Sequence, residues 1–200
     1  MKKNMKKKAL LTMSVALLLL VAVGTTLAYI FAKTDPVVNT FTPSKVSCAV
    51  VENSDTQVSG GIQNTGDKKS NVQIKNTGDT DAYIRVAVVV NWMSADGASV
   101  WATKPVKSTN GTDGDYTIDY NLSEDGWIDG GDGYYYYTKP VVKSSLTGIL
   151  IGEAKVLKAA PQEGYYLSIE IVASAIQAKP ASVATSQWGV TVANDGTINK

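Results

Sequence analysis

Two stretches of this chain alternate apolar and polar residues strictly enough to predict long strands. Ile84, Val86, Val88, Val90 and Trp92 share one face at period two, with Tyr83, Arg85, Ala87, Val89 and Asn91 on the other. Tyr165 to Ala175 repeats the pattern: Leu167, Ile169, Ile171 and Ala173 form one row, and Ser168, Glu170 and Ser174 stand opposite. Shorter strands are expected at Val46–Val51, at Asn71–Asn76 (Val72 and Ile74 inward), at Val100–Ala102 and at Tyr116–Leu122. Further ones are expected at Tyr134–Thr138, Leu146–Ile151 and Val190–Val192. Turn residues punctuate them at Asn76–Asp79, Ser94–Gly97 and Thr109–Asp115. Asp125–Gly133 reads as a tight hairpin around Trp127, Asn53–Ser70 as a long polar surface loop or weak hairpin, and Ala181–Trp188 as one short helical turn. Many short strands between turn clusters predict an all-β chain folded as an antiparallel β-sandwich, with a barrel or jelly roll as the nearest alternative.

The N-terminus departs from this pattern. Lys2, Lys3, Lys6, Lys7 and Lys8 precede an apolar run from Ala9 to Val23, which Gly24 interrupts. Thr26 and Ala28 are small enough for the −3 and −1 pockets of a signal peptidase, so a signal-peptide helix with a cut between Ala28 and Tyr29 is expected. A retained anchor competes with this reading, because the run from Ala9 to Ala32 is long enough to cross a bilayer core of ~30 Å. On either reading the lysines stay on the cytoplasmic side and the domain is exported. The expected organisation is a signal peptide at 1–28, an extended segment at 29–44 serving as tether or donor strand, and a β-sandwich domain at 45–200. Asp35-Pro36 and Thr42-Pro43 break any helix in the middle segment, where Val37, Val38 and Phe41 favour extended chain.

Charge and composition narrow the function. Without residues 1–28 the chain keeps 14 basic and 18 acidic side chains, a net charge of −4, against +1 for the whole. That balance disfavours general nucleic-acid binding, which needs cations to displace counterions. There is no histidine, which excludes Ser-His-Asp and Cys-His catalysis and any His-ligated zinc or copper site. The single cysteine, Cys48, alternates with Val46 and Val50 and reads as a small core residue, a reactive or intermolecular thiol being the alternative.

Other candidate chemistry is modest. Asp113 and Asp115, and Asp125, Asp129 and Asp132, lie close enough in sequence to test for calcium, but they match no EF-hand spacing and suit turns. Tyr134 to Tyr137 predicts two rings inward and two covering the sheet, with a carbohydrate or partner surface as the other reading. Glu124 with Asp125, or Glu153 with Glu163, are the carboxylate pairs that acid–base chemistry would use, and surface solvation is the simpler account. No catalytic, cofactor-binding or metal-ligating residue is assigned, and no cofactor is expected.

Gly24-Thr25-Thr26-Leu27-Ala28-Tyr29 resembles the leaders of exported Gram-positive proteins cut by the SipW-type signal peptidase. Val72 to Arg85 (VQIKNTGDTDAYIR) resembles the Asn-x-Gly-x-x-Asp-Ala-Tyr-x-Arg signature of the TasA and camelysin group, and Gly133–Tyr136 and Trp188–Val190 look similar to later pieces of that family. The resemblance implies a jelly-roll-like or Ig-like sandwich at the surface or in the biofilm matrix of a Gram-positive bacterium, with a SipW-type signal peptidase as partner. It also implies possible fibres by donor-strand exchange, in which an N-terminal segment completes a neighbour's sheet; Tyr29–Ser44 is the candidate donor. Camelysin relatives suggest a metallopeptidase, an activity that the lack of histidine and of His-Glu-x-x-His puts in doubt here. The expected function is therefore a secreted structural subunit without catalytic activity. A monomeric binding or adhesion module, gripping glycan or protein with the loops around Asp113 or Trp127, is the alternative, and the peptidase the least favoured.

Overall fold

The computed structural model describes residues 44–54 and 65–200, and Met13 alone before them. The chain divides into two compact units, Met1–Thr42 and Pro43–Lys200, and all that follows concerns the second. The expected signal segment, its cut at Ala28 and Tyr29, residues 29–43 and the middle of the polar loop (55–64) lie outside the described residues.

The described chain is all-β apart from one short helix. Its strands are β1 (Cys48–Ser54), β2 (Lys68–Asn76), β3 (Ala82–Ser94), β4 (Tyr116–Tyr120) and β5 (Trp127–Asp129). They continue with β6 (Tyr135–Tyr137), β7 (Ile151–Val156), β8 (Tyr165–Gln177), β9 (Thr191–Val192) and β10 (Ile198–Asn199). One sheet has the order β1-β2-β7-β4, a second β5-β6-β3-β8, and β9 and β10 form a small hairpin. All strand pairings are antiparallel.

The two long strands fall where the alternation places them, and they pair with each other. β3 and β8 run in unbroken register from Ala82 opposite Gln177 to Ser94 opposite Tyr165. Ile84, Val86, Trp92, Leu167 and Ile169 from this pair join Val72 and Ile74 of β2, Ile118 of β4 and Ile151, Ala154 and Val156 of β7 in one buried cluster. Both four-stranded sheets thus feed the same core. Each fully buried aliphatic side chain contributes on the order of 1.5–3 kcal/mol.

The opposite face of β3 and β6 is also partly covered. Tyr83, Tyr136, Trp188, Val190 and Ile198 build a second cluster there. The helix Ser182–Trp188 supplies its lid and stops at Gly189, whose φ of 63° suits a residue without Cβ and whose N–H bonds the Thr185 carbonyl at 3.1 Å. The tyrosine run is shared between the clusters: Tyr135 and Tyr137 pack on the main core, Tyr134 and Tyr136 on the second.

Several sequence expectations need correction. The strand expected at Leu146–Ile151 lies five residues later, at Ile151–Val156. Residues 144–150 do bond β2, but irregularly, because the Thr147 hydroxyl takes the Ile74 N–H at 3.0 Å where a ladder carbonyl would. Trp127 is not at a hairpin tip: it lies in β5, fully buried, with its indole N–H donated to the Gly148 carbonyl at 3.0 Å. The turn falls beyond it, at Gly130–Gly133. Val100–Ala102 amounts to one bridge, Val100 with Met93. The polar loop is shorter at both ends than Asn53–Ser70, since β1 reaches Ser54 and β2 begins at Lys68. β10 had no counterpart in the expected strands.

Candidate functional site

The stretch Asn76 to Arg85 is a structural hub. Asn76 is fully buried, and its side-chain amide donates to the carbonyls of Thr80 (2.8 Å) and Val141 (2.9 Å) while its oxygen accepts the Gly78 N–H (2.9 Å). That closes the β2–β3 turn and leaves Asp79 free to hold the start of β1. The Lys45 N–H donates to the Asp79 carboxylate at 2.7 Å, the Asp79 N–H to the Lys45 carbonyl at 3.0 Å, and Thr77 and Gly78 N–H groups both reach the Ser47 carbonyl. Lys45 and Ser47 are therefore tied to the β2–β3 turn. Further along the stretch, the Tyr83 hydroxyl donates to the Gly196 carbonyl at 2.8 Å. The Arg85 guanidinium lies 4.1 Å from the centre of the Tyr134 ring and 4.8 Å from that of Trp188, a cation held between aromatic faces. These residues bind the C-terminal layer to β3; none converges on a reactive centre.

The feature most open to a partner is the free side of β8. The Ala178 N–H bonds the Asp81 carbonyl at 2.9 Å, which fixes the phase of the β3–β8 ladder. Even-numbered residues of β8 bond β3, and odd-numbered ones from Leu167 to Gln177 point their N–H and C=O groups away from the sheet. β8 is an edge strand, and so is β1 of the other sheet. Among the described residues no backbone group pairs with Ile171, Ala173 or Ala175 on this side. The inward side chains of the same residues, with Val88, Val90, Cys48 and Val50, are only half-buried although they pack on the core. A chain with an exposed backbone edge and an incompletely covered apolar row accepts an added strand.

One polar device interrupts this edge. Lys69 of β2 is buried at 9% exposure, and its ammonium donates to the Ile169 carbonyl of β8 at 3.1 Å. The same nitrogen lies 2.9 Å from Glu52 Oε2 on β1, though off the line of a directed hydrogen bond, so charge rather than bond geometry holds that carboxylate. Sequence reasoning missed Lys69, because a lysine within a run of Gly, Asn, Asp and Ser reads as loop. Only the pairing of β2 with β7, which sets Lys69 opposite the buried Ala154, turns it inward.

The other candidate residues have local roles. The Asp113 carboxylate accepts from Ser108 Oγ (2.6 Å), Thr109 N–H (2.7 Å) and Thr109 Oγ1 (2.6 Å), which hold its pKa well below the usual carboxylate range. Asp115 accepts the Val106 N–H, and Asp129 the Gly131 N–H. Asp132 takes Lys200 Nζ at 2.6 Å and the Tyr136 hydroxyl at 2.9 Å. These oxygens are committed to turns and to the C-terminus. Glu153 on β7 pairs with Lys68 at 2.7 Å, whereas Glu163 lies in the turn before β8 of the other sheet. Glu124 and Asp125 lie in the turn before β5. Cys48 is half-buried against the core, and burial raises its thiol pKa. Among the described residues no three Cys, Asp or Glu side chains gather as a metal site would require.

Compared with known proteins, the chain matches no family model, no curated protein and no solved structure.

Proposed function

We propose that this chain is an exported structural subunit of a Gram-positive cell surface or biofilm matrix, of the TasA and camelysin kind, folded as a jelly-roll-like or Ig-like sandwich. It assembles by adding an extended segment of one copy to the β8 edge of the next. The observation that carries the reading is the coincidence, on Ile171, Ala173 and Ala175, of backbone groups with no partner among the described residues and half-covered inward side chains. An incoming strand would satisfy the first and bury the second. The leader with its Ala28–Tyr29 cut delivers the chain, with a SipW-type signal peptidase as its processing partner. The segment Tyr29–Ser44, whose Asp35-Pro36 and Thr42-Pro43 disfavour helix and which carries Val37, Val38 and Phe41, has the composition of a donor. The two four-stranded antiparallel sheets feeding one core support the sandwich.

The binding-module alternative loses the residue it would use as an aromatic platform, since Trp127 is fully buried. The peptidase reading has no histidine to work with.

Electron microscopy of the exported chain, with and without residues 29–43, tests the proposal. Fibres that disappear on deletion while the domain keeps its melting transition are the expected result. A chain that stays monomeric at every concentration removes the assembly reading.

A further inference from the structure

We propose that the Lys69–Glu52 pair is an end-stop that sets how far an added strand can run along β8, confining it to the half from Ile171 to Gln177. The inference rests on the strand-addition reading and specifies its register.

Two independent observations place the boundary at the same residue. The first is backbone chemistry. Of the outward carbonyls of β8, that of Ile169 is already taken by the Lys69 ammonium at 3.1 Å. A strand extending past Ile171 would have to displace this donor. The displaced ammonium, with the Glu52 carboxylate 2.9 Å away, would then lie buried with part of its hydrogen bonding unmet, a costly arrangement for a desolvated pair. The second is packing. Leu167 and Ile169 are each 1% exposed, so the core beneath them is complete, while Ile171, Ala173 and Ala175 on the same face are half-buried. The seam between the edge strands β1 and β8 is thus sealed on one side of the Lys69 bridge and open on the other. A charge turned inward at a sheet edge is a known means of blocking strand addition; here it blocks only part of the edge.

The open half runs for seven residues, roughly 23 Å at the usual strand rise. The proposed occupant is residues 29–43 of a second copy. Pro36, which has no N–H, divides that segment into Tyr29–Asp35 and Val37–Thr42. Tyr29–Asp35, with seven residues, spans the open half, Val37–Thr42 falls one residue short of it, and neither spans all of β8.

The test is amide hydrogen exchange at single-residue resolution on the exported chain, dilute and assembled. In the wild type, assembly should slow exchange roughly tenfold or more at Ile171, Ala173 and Ala175 and leave Leu167 and Ile169 unchanged. Lys69→Met should let protection spread to Ile169; Lys69→Arg, which keeps a cation, should preserve the boundary. Should Lys69→Met fail to fold, the wild-type boundary decides alone. Protection that extends through Leu167 in the wild type, or an unchanged boundary in a folded Lys69→Met, overturns the end-stop and leaves strand addition standing. Protection already complete in the dilute chain assigns the edge to its own N-terminal segment and overturns the second-copy occupant. An assembled chain with no gain anywhere along β8 removes the strand-addition reading, and the end-stop with it.

Discussion

A methyl group on the α-carbon of Gly78 would collide with the carbonyl oxygen of Lys45. The contact is backbone to backbone, so no side chain can swing aside. Gly78→Ala is therefore expected to cost about 1–3 kcal/mol, the usual range for overpacking a tight site. Urea melts would show the lowered midpoint. A variant as stable as the wild type would mean that the turn and the Lys45–Ser47 segment part more easily than their bonding suggests.

Asn76 is the polar centre of that turn. Replacement by alanine removes three buried hydrogen bonds and leaves the Thr80 carbonyl without its donor, while the Val141 carbonyl keeps the Ala82 N–H and the Gly78 N–H keeps the Ser47 carbonyl, for a loss of about 1–3 kcal/mol. Asn76→Asp should fare no better, because a carboxylate cannot donate to Thr80 and Val141. Equal stability of the aspartate variant and the wild type in denaturant titrations would count against this account.

Asp132 gives the stability a pH signature. Its bond from Lys200, helped by the Tyr136 hydroxyl, holds its carboxyl at about 2, below the ordinary 3.8. A depressed carboxylate stabilises the fold fully above its unfolded value and ceases to do so as pH falls through its folded value. The contribution should therefore fade between about pH 4 and pH 2. Asp132→Asn should flatten the pH dependence of the melting temperature in that window and leave the rest of the curve unchanged; a parallel curve would refute the assignment.

The mature N-terminus offers a direct check of export. Mass spectrometry of the chain recovered from the outside of expressing cells should find Tyr29 first. A chain that keeps Met1 and stays with the membrane would establish the anchor instead.

How much of this was legible depended on whether a residue's environment is set by its neighbours in sequence. β3 and β8 announced themselves because their core rows follow a strict period of two, and the turn at Asn76–Asp79 because its residues demand one. β7 was displaced in the reading because Gly152 and Glu153 separate its buried positions Ile151 and Ala154, which breaks the alternation. Trp127 reads as part of a hairpin turn because Asp and Gly surround it, yet the main core closes over it. On the second face of β3, Tyr83 is 1% exposed because the C-terminal helix and hairpin come back to cover it, a cover that alternation within β3 does not announce. The proposed binding edge was hidden for the same reason: which side of β8 has no partner among the described residues is a fact of topology, and Lys69 turns inward only through β7.

The clasp between Asp79 and Lys45 has a mechanical meaning. In a filament joined by adding a segment of one copy to β8 of the next, a pull enters each subunit at β8 and, through its own segment, at Lys45. There it meets the Asp79 carboxylate, the Asp79 N–H and the two N–H groups on Ser47 before β1 feels any force. Tension is passed into the turn that opens β3, the strand with the longest ladder in the domain. Both points of load would then fall on the paired strands β3 and β8, as a rope is spliced to the keel rather than to the planking.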